Sequence, residues 1–186
     1  WINPSPNAAN VNMARAYAGT VMVEGATLSE GRGTTRPLEL FGAPDIDARS
    51  VIAEMHRLAP EWLVGCKLRD IWFEPTFHKH MKRLNNGVFI HAEGDWYDHA
   101  AFRPWRVQAL AFKAIRSLWP DYPIWRGTDF QYEYTDNVLA IDVINGSPLL
   151  REWVDDAGAA PADLDALALP DEAAWQDEIA DLLLYS

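Results

Sequence analysis

Residues 68–92, LRDIWFEPTFHKHMKRLNNGVFIHA, hold the two strand-like runs around which the rest of the chain is arranged. Leu68–Phe73 alternates as a strand does, and Glu74-Pro75 closes it. Gly87–Ala92 (GVFIHA) is the second clear strand. On either side the apolar period becomes helical. Val51, Ile52, Met55 and Leu58 fall at helical spacing after Asp45 or Asp47, either of which can cap the first turn, and Pro60 stops the helix. Val107, Leu110, Ala111, Ala114, Ile115 and Leu118 share one face of a longer helix that follows Pro104 and ends at Trp119-Pro120. Strands and helices are interspersed without strict alternation and without an internal repeat. The fold class expected is mixed α/β (α+β), a small mixed sheet with helices packed on it.

Further out, Asn7–Ala18 predicts a short helix ended by Gly19, and residues 20–24 predict a strand by their β-branched residues. Shorter elements are expected at Phe130–Tyr134 and Asn137–Ile144, then a helix from Pro148 to Asp156. Ala157–Pro170 is rich in Ala, Asp, Pro and Leu and reads as a linker or exposed turn. A last helix starts near Asp171, with Glu172 in its first turn and Trp175, Ile179, Leu182 and Leu183 on its apolar face. The organisation expected is a main domain over 1–156, a linker over 157–170 and a C-terminal helix over 171–186 packing on the main domain.

The chain has 186 residues, 49% of them hydrophobic, and nine tryptophans, enough for one domain with a sizeable core. Its net charge of -11 is unevenly spread. Residues 1–151 hold 17 acids and all 16 bases, whereas residues 152–186 hold 10 acids and no base. The acidic tail argues against nucleic acid as its partner. Lys67, Arg69, Lys79, Lys82 and Arg83 read as a solvated basic face. No apolar run approaches the roughly 18 residues of a membrane helix, and no signal peptide is recognised. The chain begins at Trp1 without methionine, which reads as a processed chain or a fragment. Cys66 is the only cysteine, so no internal disulfide is possible; within a strand it reads as core.

The chemistry-bearing stretch is Gly19–Glu39, GTVMVEGATLSEGRGTTRPLE. Glu24 closes the run 20–24, and the loop beyond it carries Gly25, Ser29, Glu30, Gly31, Arg32, Gly33, Thr34, Thr35 and Arg36 before Pro37. Glycines let a backbone approach a ligand closely, and clustered charges are costly to bury without partners. A polar, partly anionic small molecule is the occupant expected. Paired carboxylates such as Glu24 and Glu30 do general acid and base work, most commonly in glycoside hydrolysis. Salt bridges of Glu30 and Glu39 with Arg32 and Arg36, serving only to order the loop, are the plainer alternative. A phosphate loop fits poorly, because GRGTT lacks its lysine and Pro37 follows.

His91, in the second strand, is either a hydrogen-bonded structural histidine or a catalytic group. His78 and His80 would share one side of a strand, but two ligands without a third are weak grounds for zinc. His99 with Asp95 and Asp98 is no stronger, and no metal or cofactor is expected. Trp125–Tyr134 (WRGTDFQYEY) is rich in rings of the kind that stack on sugars, with Trp125, Tyr132 and Tyr134 as candidates.

These segments together resemble the C-terminal part of the bacterial exo-β-N-acetylmuramidases of peptidoglycan recycling, formerly a domain of unknown function. The resemblance runs through NPSPN (3–7), AYAGTVMVEGATLSEGRGTTRPLELFGAPDID (16–47), FEPTFHKH (73–80), GVFIH (87–91), WRGTDFQYEY (125–134), AIDVINGSPLLR (140–151) and the terminal helix with Trp175. Leu38 stands where the family usually has Phe, and Gly94-Asp95 after the His91 strand is a second departure. The resemblance implies an upstream Rossmann-like half, absent from this chain, and an active site in the cleft between the halves. It implies release of N-acetylmuramic acid from the non-reducing end of peptidoglycan fragments, in a secreted or periplasmic setting. Glu24, Glu30 and His91 are then the catalytic candidates. Ser29, Arg32, Thr34, Thr35, Arg36, Tyr132 and Glu133 are the candidates for binding the muramyl sugar, with Arg32 or Arg36 clamping its lactyl carboxylate. A non-catalytic module that binds muramyl sugars or docks the missing half is the alternative.

Overall fold

The chain follows a mixed α/β architecture in which β3 (Asn85–His91) is the middle strand of a three-stranded sheet ordered β1-β3-β2. Its neighbours β1 (Leu40–Ala43) and β2 (Lys67–Phe73) both run antiparallel to it. The computed structural model describes residues 2–184. Alternation along β3 splits the sheet into two faces. Val88 and Ile90 join Phe41 in the main core, while Phe89 turns the other way to Leu40 and Phe73. Gly42 lies opposite Gly87, and a Cβ on either would collide with backbone of the partner strand.

Helix α2 (Ala48–Leu58) packs on the core face, and α3 (Pro104–Leu118) packs on α2 within the same core. Asp47 caps α2 by accepting from Arg49 N at 3.2 Å. Asn86 ties that helix start to the sheet, accepting from Ala48 N at 2.7 Å and donating to Ile71 O at 3.1 Å. Residues 106–115 of α3 are all buried. Lys113, near its end, donates to Trp153 O at 2.8 Å and Asp156 O at 2.5 Å, satisfying carbonyls at the end of α5 (Leu149–Asp155).

Three local expectations give way to packing. Helix α1 (Val11–Thr20) runs through Gly19, where a Cβ would collide with Pro104 O. That glycine marks the crossing of α1 over the start of α3, and it does not stop the helix. Residues 20–24, expected as a strand, instead tighten into a 3-10 turn, Val21–Gly25. Gly25 lets α4 (Ala140–Asn145) press against this turn, with a Cβ there falling 2.6 Å from Ile141 Cα. Phe130–Tyr134 forms turns with one isolated bridge, Tyr132 to Thr135, and α4 begins only at Ala140.

Helix α6 (Pro161–Ile179) occupies most of the stretch whose composition suggests a linker, and it runs through Pro170. The Asp163 carboxylate accepts from Ala160 N at 2.7 Å and starts it. Leu164 is buried, and Arg106 of α3 holds Asp165 at 2.7 Å and Glu172 at 2.5 Å, so the acidic tail is anchored through a cation of the body. Trp175, Leu182 and Leu183 of the expected apolar face stay exposed. Tyr185 and Ser186 of the expected C-terminal helix lie outside the described residues. Cys66 precedes β2 and packs on the core, and burial pushes its thiol up to about 12. No helix among the described residues is long and apolar enough to cross a membrane.

Candidate functional site

The glycine-rich loop extends the sheet beyond β1. Ser29 pairs with Gly42 through both backbone hydrogen bonds, at 2.8 and 3.0 Å, and Leu38 N donates to Glu30 O at 2.9 Å to close the loop's neck. Gly31 and Gly33 have φ of 69° and 79°, the left-handed region that glycine adopts without strain. The occupant their missing side chains admit is the chain itself. A Cβ on Gly33 would collide with the Thr76 hydroxyl, and Thr76 N donates to Arg32 O at 3.1 Å. The turn that follows β2 fills the space beside Gly33.

That turn, Thr76–Arg83, clamps the loop from below. Lys79 donates to Val23 O at 2.5 Å and Ala26 O at 3.1 Å, and lies 2.9 Å from Glu30 Oε2. His80 contacts Thr27 O at 2.9 Å. His78 Nδ1 stands 3.3 Å from Glu30 Oε1. His78, His80 and Lys82 all have positive φ, so the expected shared strand face of His78 and His80 does not exist. No group of three or more potential metal ligands occurs among the described residues.

Glu30 is fully buried at the centre of this clamp. Its Oε1 accepts from Arg32 Nε at 2.5 Å. Burial alone would raise its pKa, but the Lys79 charge and the hydrogen bonds from Lys79 and Arg32 outweigh it and hold the carboxyl at about 2. Burial pulls Lys79 down to about 8 against the attraction of Glu30, so both groups are charged at neutral pH. Glu30 is buried, ionised at neutral pH and lines neither of the cavities beside the loop. It orients Arg32.

Arg32 in turn holds Glu24 through Nη2, and Tyr132 donates its hydroxyl to the second Glu24 oxygen at 3.3 Å. Burial, then the Glu24 charge, pushes the Tyr132 phenol up to about 12, so it stays a donor. Glu24 and Arg32 form the partition between two cavities. One, of about 350 Å³, is walled by Asn7, Met13, Tyr17 and Leu38. The other, of about 270 Å³, is walled by Phe77, His78, Arg126, Phe130 and Tyr132. Glu24 is thus the one carboxylate of the loop open to both spaces.

A second network lies on the other side of the loop. Arg36 grips Glu39 at 2.8 and 2.5 Å, reaches Glu93 at 3.1 Å and stacks over Phe89. Glu39 also accepts from Asn10 at 2.8 Å, and Glu93 from Asn12 at 2.5 Å. His91 Nδ1 sits 3.0 Å from Glu93, and its Nε2 accepts from Arg69 at 3.3 Å. His91 therefore shares no partner and no cavity wall with Glu24.

The remaining candidates divide in the same way. Ser29 is buried and its hydroxyl accepts from Gly31 N at 3.2 Å. Thr34 donates to Gly31 O at 2.6 Å, whereas Thr35 and Glu133 are exposed and line neither Glu24 cavity. The solvated basic face expected of Lys79 does not hold: its side chain turns inward onto Glu30 and the carbonyls of Val23 and Ala26. Arg126 lies within the run 125–134, whose rings drew the sequence reading.

With this geometry in place, comparison with known proteins gives a consistent result. The family described as "Exo-beta-N-acetylmuramidase NamZ, C-terminal" matches residues 15–185. The Bacillus subtilis protein named "Peptidoglycan beta-N-acetylmuramidase NamZ" is 31% identical over 155 residues, covering 83% of this chain. The chain spans only 33% of that relative's length. Two crystal structures of DUF1343 family proteins from Bacteroides fragilis share the fold across 100% of this chain. Their TM-scores are 0.76 and 0.67 at 20% and 18% identity, and the chain covers 45% and 44% of them.

Proposed function

Since the chain belongs to the C-terminal family of the exo-β-N-acetylmuramidase NamZ, we propose that it forms one wall of a glycosidase site. The site releases N-acetylmuramic acid from the non-reducing end of peptidoglycan fragments, and a preceding domain supplies the opposite wall. The observation that carries this reading is the Glu24–Arg32 pair, held by a buried clamp and open to two adjoining cavities. Glycoside hydrolysis needs two carboxyl groups across the scissile bond. Glu24 is the carboxylate this wall offers, with Tyr132 and Arg32 fixing its orientation. Glu30 acts through Arg32 as a positioning residue. A peptidoglycan substrate fits a secreted or periplasmic place of action.

A non-catalytic muramyl-binding module is the second reading, favoured by the presence of a single open carboxylate in these two cavities among the described residues. Turnover of a chromogenic β-N-acetylmuramide separates the two. The account expects no turnover by the 186-residue chain alone and turnover once its upstream segment is restored. Activity of the chain alone would place both carboxyl groups within it. No activity in either form, with sugar binding retained, would leave the binding module.

A further inference from the structure

We propose that Arg126 is the anion-binding residue of this site and that it takes the carboxylate of the sugar's lactyl ether. The inference rests on the muramyl reading above and assigns its specificity to a residue outside the glycine-rich loop.

The two arginines of that loop are already occupied. Arg32 is shared between Glu30 and Glu24, and Arg36 between Glu39 and Glu93. Arg126 differs: its guanidinium has no ion-pair partner among the described residues, and its buried Nη1 has no hydrogen bond. It lines the smaller cavity with Glu24, Arg32, His78, Phe130 and Tyr132. Its position is fixed from two sides, by its backbone N donating to Gly25 O at 3.0 Å and by its guanidinium stacked over the Phe130 ring.

Charge bookkeeping around the cavity gives the ligand class. Glu24 and Glu30 are matched by Arg32 and Lys79, which leaves the Arg126 charge over. Glu30, the exposed Asp129 and Glu24 all attract Arg126, but none of them forms an ion pair with it. Burial disfavours the Arg126 cation, yet arginine remains protonated, so an unpartnered buried N–H costs free energy that an anion would recover. One spare charge beside two carboxylates suits a monoanion, whereas a phosphate dianion would face Glu24 and Glu30 at a disadvantage. The planar guanidinium matches a carboxylate in geometry as well as charge. N-acetylglucosamine lacks the lactyl group, so this contact would separate muramyl from glucosaminyl ends.

The test uses this chain labelled with 15N-arginine. The Arg126 Nε–H resonance is the one that vanishes in Arg126→Lys. N-acetylmuramate and D-lactate are expected to shift it, and the methyl ester of N-acetylmuramate is not. Arg126→Ala is expected to weaken N-acetylmuramate binding by about 10- to 100-fold, with Arg126→Lys recovering part of that and ester binding changing by less than about threefold. A response to D-lactate without a response to either sugar upholds the anion site and overturns the muramyl reading. No response to either carboxylate, or equal losses for acid and ester, overturns the assignment of Arg126.

Discussion

Two charge networks flank the same loop, and they differ in one respect. The Arg36 side is closed: its arginine, both glutamates and His91 are mutually satisfied, with Asn10 and Asn12 supplying further donors. The Glu24 side is equally well braced from beneath but open above, with Glu24 facing two cavities and Arg126 left over. Saturated charge holds structure, and spare capacity beside a cavity is what a ligand can use. Residue type alone does not separate the two, because both networks are built from the same glutamates and arginines.

The largest effect that would sharpen this contrast is on Glu30. Glu30→Gln strands Lys79 as a buried cation, and removing one partner of a buried pair costs about 3–5 kcal/mol. Chemical denaturation should therefore show a large loss of stability, together with loss of any activity that depends on Glu24. A loss below about 1 kcal/mol would mean that the clamp contributes little. Gly33→Ala should come next, at about 1–3 kcal/mol, since φ is 79° there and the new Cβ meets the Thr76 hydroxyl. A neutral result would show that Thr76 is free to withdraw.

Acid should find the same clamp. Glu30 has its pKa lowered from 4.5 to about 2, so the folded state binds its proton less readily than the unfolded chain. Its contribution, on the order of 3 kcal/mol, is fully present above about pH 4.5 and is lost as pH falls toward 2. Stability measured between pH 5 and 2 should fall in wild type, and part of that slope should vanish in Glu30→Gln. An unchanged slope would remove Glu30 from the account. On the closed side, Glu93→Gln should cost only about 1 kcal/mol, because Glu93 and Arg36 are both partly exposed.

Much of the frame is legible in the sequence because it follows from local chemistry. The Asp47 cap, the apolar face after Pro104 and the two strands around residues 68–92 all fall close to where period and punctuation place them. The misses are tertiary. Gly19 reads as a helix stop and Gly25 as a glycine of a ligand loop, yet they mark close approaches of α3 and α4, which no local pattern displays. The residues of 161–170 read as linker until Arg106, 59 positions from Asp165 in sequence, draws Asp165 onto α3. In the site, the carboxylate–arginine pairs were readable from spacing. The second cation on Glu30 was not, because it depends on Lys79 arriving from beyond β2.

The central claim is that function belongs to the open network and scaffolding to the closed one. It is tested most directly by kcat/KM on a chromogenic β-N-acetylmuramide, measured in the protein with its upstream segment, for Glu24→Gln and Glu93→Gln with melting temperatures recorded beside them. Glu24→Gln is predicted to lose at least about 100-fold in kcat/KM, the scale of a lost acid–base group, while its melting temperature falls only slightly. Glu93→Gln is predicted to lower the melting temperature slightly and to stay within about threefold of wild type in kcat/KM, as a partly exposed ion pair implies. Full activity in Glu24→Gln, or collapse of activity in a folded Glu93→Gln, would contradict it.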